Sequence, residues 1–167
     1  RSNVLVCGGT GCTSSNSEQI IEKLQDLSGK DYTSHTESMR VIADHLRAAA
    51  FMAVDGCVPS NKEQGYVMRR LLRRAIRYSF DLGIEQNFLQ EAVPAIADLY
   101  EADFPEVKNN RDNIIAVLVK EEKAFRQTLR KGLRQMQRYI DDGLTGEELF
   151  TLYDTFGFPV ELSTEEA

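Results

Sequence analysis

The sequence predicts a mostly α-helical fold: a helical bundle of two subdomains joined by a long helix, with a short N-terminal β-strand. Apolar residues recur at steps of three and four along most of the 167 residues, which is the spacing of one helix face. Proline is scarce, with four residues in the chain, and glycine often stands where a periodic segment stops. No apolar run approaches the roughly 20 residues of a membrane span, so we expect no membrane partner.

The first residues differ in composition from the rest of the chain. Val4, Leu5 and Val6 predict a short buried strand, and a loop rich in Gly, Ser and Thr follows it. The run CGGTGC places four residues between Cys7 and Cys12, but it matches neither the dinucleotide fingerprint nor the P-loop. A loop without a cofactor is the favoured interpretation. An iron–sulfur or thiol-redox module is the alternative, although the chain has only three cysteines.

Four helices are predicted between this segment and residue 104. They span residues 18–27, 37–55, 64–82 and 88–101. Gly29, Gly56 and Gly83 stand at the ends of the first three, as expected of residues that adopt the left-handed conformation at a helix C-terminus. Pro94 lies inside the fourth and predicts a kink or a break there, because proline lacks an N–H donor.

The longest periodic segment predicts a single helix from residue 105 to 141, on the order of 50 Å long. One side of it carries the series Ile114, Leu118, Glu121, Phe125, Leu129, Leu133 and Met136. Thr145 and Glu148 form a predicted capping box for a further helix over residues 146–156. These segments divide the chain into a strand–loop segment (1–18), a helical subdomain with an arginine-rich helix (19–104), and the long helix with a second helical subdomain (105–167).

The run GYVMRRLLRRAIRY (residues 65–78) contains five arginines and no acid, in a chain of net charge −6. At helical spacing it has an apolar stripe made by Met68, Leu71, Leu72, Ala75 and Ile76. The arginines are Arg69, Arg70, Arg73, Arg74 and Arg77. Two interpretations are open: the guanidinium groups bind phosphates, or they pair with acids on neighbouring helices.

Other polar residues are less informative on their own. Asn61 precedes the arginine-rich helix and Asp154 precedes a Gly-Phe-Pro turn; as isolated residues, both are typical of turns and caps. His35 and His45 have no second ligand at metal-binding spacing, so we expect surface or capping roles for them. The sequence thus predicts no catalytic residues and no metal site.

From about residue 20 onward the chain resembles the alanyl-tRNA synthetase family. The resemblance rests on the motifs LSGKDY (27–32), SMRVIADHLRA (38–48), VPSN (58–61), GYVMRRLLRRA (65–75) and LYDTFGFP (152–159). They match the helical middle region that follows the catalytic domain and receives the tRNA acceptor stem. The resemblance implies a cytoplasmic fragment without the aminoacylation, editing and C-terminal domains, and hence a chain that is not an enzyme and needs no cofactor.

The resemblance also implies roles for particular residues. Asn61 and Asp154 match the family's Asn and Asp that clasp a G·U wobble pair in the acceptor stem of alanine tRNA. RNA presents readable base edges in its wide, shallow minor groove. The five arginines would then hold phosphates and set the register of binding. One departure stands out: the family often has Arg or Gly-Arg before the Gly-Tyr of the arginine-rich helix, where this chain has Glu63-Gln64, which would remove one phosphate or base contact.

Residues 1–18 resemble a different group, the N-terminal segment of NADH-oxidising flavoprotein subunits in complex I and iron-only hydrogenases. The chain is therefore interpreted as a chimera of two proteins. An engineered or recombinant structural chimera without retained activity is the alternative function. The orphan strand and an uncovered domain face both favour self-association as a homo-oligomer.

Overall fold

The computed structural model describes residues 17–142, 145–148 and 150–151, and helices account for most of them. The helices are α1 (Ser17–Ser28), a 3-10 turn (Tyr32–Ser34), α2 (Thr36–Val54), α3 (Glu63–Asp81), α4 (Leu89–Tyr100), α5 (Pro105–Asn109) and α6 (Arg111–Asp142). The predicted mostly α-helical class is confirmed. The predicted N-terminal strand, with Cys7 and Cys12, lies outside the described residues. Within the described ranges, no helix combines the length and the apolar character that a membrane crossing requires.

The core of the described residues up to Glu122 is built around α2 and α3, which pack side by side. Met39, Ile42 and Leu46 of α2 are fully buried, as are Met68 and Leu72 of α3. These residues follow the three- and four-residue spacing of the sequence, so each helix buries the face that its pattern predicts. Helix α1 packs against both α2 and α4.

The predicted helix ends agree with the structure for the first three helices. Gly29, Gly56 and Gly83 all have positive φ angles, of 67°, 81° and 73°, in the left-handed region that ends a helix at low steric cost for glycine. Of the two outcomes expected at Pro94, the break does not occur, since α4 continues through Pro94 to Tyr100, and the kink stays a prediction. The buried side of this helix supplies the reason, because tertiary packing offsets the lost backbone hydrogen bond.

Helix α4 receives its N-terminal cap from a distant residue. The fully buried carboxylate of Glu122 accepts hydrogen bonds from the backbone N–H groups of Phe88 and Leu89, each at 3.0 Å. A carboxylate at this position satisfies two donors that the helix itself leaves unpaired and interacts favourably with the positive end of the helix dipole.

The single long helix predicted from residue 105 is two helices, so that prediction is wrong at its beginning. Helix α5 stops at Asn109 and α6 starts at Arg111. Between them, the side-chain amide of Asn110 donates to the carbonyl oxygen of Glu106 at 2.9 Å, which is the local competition with helix hydrogen bonds that asparagine favours. The series predicted along one side of α6 is the buried side where its side chains are described: Ile114, Leu118, Glu121, Phe125, Leu129 and Met136 are buried.

The described residues from Lys123 onward form a second compact unit, and those up to Glu122 form the first. In the second unit, the predicted capping box is confirmed. Glu148 Oε2 accepts from the Thr145 backbone N–H at 2.8 Å, and the Glu148 N–H reaches Thr145 Oγ1 at 3.4 Å. Residues 146–148 and 150–151 are helical; the rest of the predicted helix to residue 156, and Asp154, lie outside the described residues. The subdomain boundaries predicted at residues 18 and 104 stay a prediction.

Candidate nucleic-acid interface

Helix α3 presents its arginines on two adjacent ridges. Its buried side consists of Gly65, Met68, Leu72, Ala75, Ile76 and Ser79. Residues four apart on a helix lie one above the other. Arg69, Arg73 and Arg77 therefore form one ridge at the edge of the buried side, here called the paired ridge. Tyr66, Arg70 and Arg74 form the next ridge, here called the outer ridge, which faces solvent.

The paired ridge is held by carboxylates. Arg73 donates from Nε to Oε1 of Glu121 at 3.1 Å, and Arg69 Nε lies 3.2 Å from the same oxygen. The Glu121 side chain is only 8% exposed, whereas those of Arg69 and Arg73 are 24% and 17% exposed. Arg77 donates from Nη1 to Oδ1 of Asp81 at 3.0 Å. For Arg69 and Arg73, the interpretation that the arginines pair with an acid on a neighbouring helix is confirmed, whereas Arg77 pairs with an acid of its own helix.

Burial sets the electrostatics around Glu121. Desolvation lowers the pKa of Arg73 from its ordinary value, the Glu121 carboxylate opposes that change, and the like charge of Arg69 adds to it. Arginine nevertheless keeps its charge at neutral pH. Two guanidinium groups thus share one nearly buried carboxylate. If they moved away, the Glu121 carboxylate would remain as an unpaired buried negative charge.

Arg69 also reaches the loop before the helix. Its Nη1 group donates to the side-chain oxygen of Asn61, and its Nη2 group donates to the carbonyl of Pro59 at 3.2 Å. The loop is tied to the helix a second time, because the Ser60 backbone N–H donates to the carbonyl of Gly65 at 3.0 Å. Asn61 is therefore an exposed residue whose side chain is oriented by an arginine two turns into the helix.

Gly65 allows this loop to lie against α3. A Cβ atom at this position would collide with Ser60 Oγ, and it would lie 2.5 Å from the Val58 carbonyl oxygen and 2.9 Å from Ser60 Cβ. Backbone atoms cannot yield as a flexible side chain can, so any larger residue would displace the loop. Sequence reasoning gave Gly65 no role of its own; the signal was a glycine in the first turn of an otherwise strong helix pattern.

The outer ridge carries exposed cationic and aromatic groups. Arg70 and Arg74 are exposed, and the Arg74 guanidinium lies 5.8 Å from the centre of the Tyr78 ring, within cation–π range. Tyr66 is 42% exposed and the neighbouring Val67 is 49% exposed. Sequence reasoning missed Tyr66. Tyr66 lies four residues before Arg70, and this spacing in the sequence could have placed the two on the same side of the helix. Exposed arginines beside an aromatic ring can contact phosphates, sugars and base faces.

His45 lies at the edge of this surface. Burial lowers its pKa, nearby Asp44 raises it, and the positive charge of Arg74 lowers it further. His35 occupies the N-cap position of α2, although its side chain makes no capping hydrogen bond there. Among the described residues, no three His, Cys, Asp or Glu side chains come together as metal ligands.

Comparison with known proteins identifies the family. The family model described as tRNA synthetases class II (A) matches residues 14–167. The chain belongs to the class II (A) tRNA synthetase family. Similar proteins include the alanine–tRNA ligases of Halalkalibacterium halodurans, 43% identical over 87% of this chain, and of Bacillus velezensis, 46% identical over 89%. The enzyme of Geobacillus kaustophilus is 42% identical over 89% of the chain.

The match to this synthetase family covers the described helices and both arginine ridges. It confirms the resemblance to alanyl-tRNA synthetases that the motifs indicated. The chain spans 18% of the length of each of these three relatives. Residues 1–13 lie outside the family match.

Proposed function

We propose that this chain is a tRNA acceptor-stem recognition module of an alanyl-tRNA synthetase and that it recognises a G·U wobble pair. The observation that carries the proposal is the outer ridge of α3 directly beside the Asn61 loop. The ridge offers sequence-independent contacts to phosphates, and the loop offers an amide that can read a base edge. The family and the alanine–tRNA ligase relatives support the assignment of the nucleic acid as tRNA.

Each residue has a part in this proposal. Asn61 and Asp154 contact the wobble pair from the minor groove. Arg70 and Arg74 contact phosphates of the stem. The paired ridge adds positive potential near the stem, while its guanidinium groups stay with Glu121 and Asp81. This arrangement also explains how a chain of net charge −6 can bind RNA, since the cationic groups are concentrated on one surface.

The direct test is binding of the chain to an alanine-tRNA acceptor-stem hairpin and to a twin in which G·C replaces G·U, across a salt series. We expect tighter binding to the G·U hairpin and a negative salt slope. Asn61→Ala should reduce the preference by about 1–3 kcal/mol and leave affinity for the G·C hairpin unchanged within error. Equal affinity of the unsubstituted chain for both hairpins would overturn the recognition of G·U.

A structural chimera without retained activity is the second candidate. The observation that favours it is the paired ridge, because Arg69, Arg73 and Arg77 already pair with acids of the protein. The resemblance of residues 1–18 to NADH-oxidising subunits belongs to this candidate and stays a prediction. Negligible, salt-insensitive RNA affinity in the titration above would support it over RNA recognition.

The proposal includes three further expectations. The chain is not an enzyme by itself, so alanine-dependent exchange of pyrophosphate into ATP should stay at background. Its proposed location is the cytoplasm, where charged tRNA is used. Self-association, through the N-terminal segment or an exposed face, is expected from the sequence, and sedimentation equilibrium over a concentration series checks it.

A further inference from the structure

A continuous set of contacts joins the nearly buried Glu121 to the exposed Asn61. Arg69 is the link: its Nε lies 3.2 Å from Glu121, its Nη1 donates to Asn61, and its Nη2 donates to the Pro59 carbonyl at 3.2 Å. The planar guanidinium group fixes these directions relative to one another, which a lysine ammonium group cannot do. The side chain that would read a base is thus tied to a helix 60 positions further along the chain.

Two of the three Arg69 nitrogens, Nη1 and Nη2, donate hydrogen bonds to the loop, and the third, Nε, is buried within ion-pair distance of Glu121 but makes no hydrogen bond there. A phosphate contact by this residue would require the loss of the loop contacts, the Glu121 contact, or both. Glu121 is held at the same time by Arg73 at 3.1 Å, so the carboxylate that anchors Arg69 is itself fixed. By contrast, Arg70 and Arg74 on the outer ridge are exposed and can approach a nucleic acid without dismantling the loop.

We infer that Arg69 is a positioning residue rather than a phosphate ligand, and that Glu121 is its anchor. Together they hold the Pro59–Asn61 segment in the geometry that recognition needs. The inference rests on the proposed role of Asn61 in reading the acceptor stem. Its physical basis is preorganisation: a loop fixed before binding loses less conformational entropy on binding, so the energy of the Asn61 contact is available for discrimination between base pairs.

Arg69→Lys is the main variant for the test, because it keeps the positive charge and removes the planar guanidinium group. Two readouts are needed. The first is hydrogen exchange of the Ser60 backbone N–H in the free protein, which reports on the loop without RNA. The second is the ratio of affinities for the G·U and G·C hairpins. Arg47→Lys is the matched control, since Arg47 also pairs with a carboxylate, Asp44, at 3.0 Å, within helix α2.

We expect Arg69→Lys to speed exchange at Ser60 by about tenfold or more and to lower the G·U preference by about tenfold, with nearly unchanged affinity for the G·C hairpin. Arg73→Lys should keep the preference, because it leaves the Arg69–Asn61 contact in place. Glu121→Gln should lower the preference in the same way as Arg69→Lys, provided that circular dichroism shows the helical content of the unsubstituted chain.

Three results would overturn the inference. Unchanged hydrogen exchange at the Ser60 N–H in Arg69→Lys would show that the loop conformation does not depend on the Arg69 guanidinium group. A retained G·U preference in that variant would show that recognition does not depend on it. An equal loss of affinity for both hairpins in Arg69→Ala, with a flatter salt slope, would make Arg69 a phosphate ligand. If the unsubstituted chain shows no preference for the G·U hairpin, the proposed function is overturned. Hydrogen exchange at Ser60 would still decide whether Arg69 holds the loop in position.

Discussion

The paired ridge and the outer ridge of helix α3 contain the same residue type one position apart, yet their environments differ. Arg69 and Arg73 lie against the nearly buried Glu121, with 24% and 17% of their side chains exposed. Arg70 and Arg74 are exposed to solvent. A rotation of 100° per residue is enough to separate half-buried arginines that pair with acids from arginines that lie exposed at the surface.

The comparison teaches that the role of an arginine depends on the helix it faces more than on the motif that contains it. On the paired ridge, a guanidinium group that left for RNA would leave Glu121 as an unpaired buried charge, which is costly. On the outer ridge, contact with a phosphate releases counterions from the nucleic acid and does not require the Glu121 pairs to separate. One helix can therefore supply both a fixed loop and a cationic surface.

The largest effect should come from removing the negative charge of Glu121, with which Arg69 and Arg73 of the paired ridge pair. Glu121→Gln should lower the free energy of unfolding by about 3 kcal/mol, because it leaves two partly buried guanidinium groups without their carboxylate. Urea unfolding monitored by circular dichroism measures the loss. Glu22→Gln, at an exposed position of α1, is the control and should change stability by less than about 0.5 kcal/mol. A similar small change for Glu121→Gln would mean that the two ridges do not differ energetically.

The second prediction separates the ridges by their response to salt. Arg70→Ala and Arg74→Ala should each reduce the slope of log affinity against log salt by about 0.7–0.9 and leave the unfolding free energy within about 0.5 kcal/mol of the parent. Arg73→Ala should instead lower the free energy of unfolding and leave the slope of log affinity against log salt unchanged. Fluorescence anisotropy of a labelled hairpin gives the slopes. A flatter slope for Arg73→Ala would place that residue among the phosphate contacts.

The helices and their buried faces were predictable from the sequence, but the division between the ridges was not. Periodicity identifies the apolar stripe of α3 and places Glu121 on the inward side of α6, since both are properties of a single helix. The flank of α3 that meets Glu121 depends on the packing of helices 48 residues apart, and no local pattern contains that information. The break at Asn110 escaped prediction because asparagine is tolerated within helices and interrupts them only in some contexts.

The site was predictable to a similar extent. The motif identified Asn61 as a candidate, but its contact with Arg69 depends on a loop that only a glycine at position 65 allows to approach. Tyr66 was missed because an aromatic residue near an apolar stripe is expected to be buried, whereas it is 42% exposed. Side-chain exposure at the flank of a stripe is a tertiary property.

The third prediction concerns the loop that the paired ridge holds. Glu63 has a φ angle of 49°, a left-handed conformation that costs an L-residue roughly 1–2 kcal/mol. Glycine adopts this conformation at lower cost, because it has no Cβ atom. Glu63→Gly should raise the free energy of unfolding by about 0.5–1 kcal/mol, measured by urea unfolding. Glu63→Ala serves as the control and should give no such gain, because alanine keeps the Cβ atom.

The smallest effect uses His45 to report on the outer ridge. Burial lowers the pKa of His45 below its ordinary value of 6.5, Asp44 opposes this, and Arg74 adds to it. The unfolded chain therefore binds a proton more readily than the folded one, so the contribution of His45 to stability is full above pH 6.5 and falls as the pH drops through the folded pKa. Arg74→Gln removes one of the lowering causes, so the pKa of His45 should rise and the loss of stability in acid should shrink.

The same histidine distinguishes the two ridges when RNA is present. If Arg74 contacts a phosphate, the phosphate charge offsets that of the guanidinium group, and the pKa of His45 should rise when the G·U hairpin binds. An NMR titration of the imidazole in the free and bound protein measures the change, and the Arg74→Gln variant shows whether the change passes through Arg74. A rise of equal size in that variant would mean that the hairpin acts on His45 directly. If the pKa of His45 in the unsubstituted protein does not rise on binding, Arg74 makes no phosphate contact. Arg70 would then be the outer-ridge arginine that contacts phosphates.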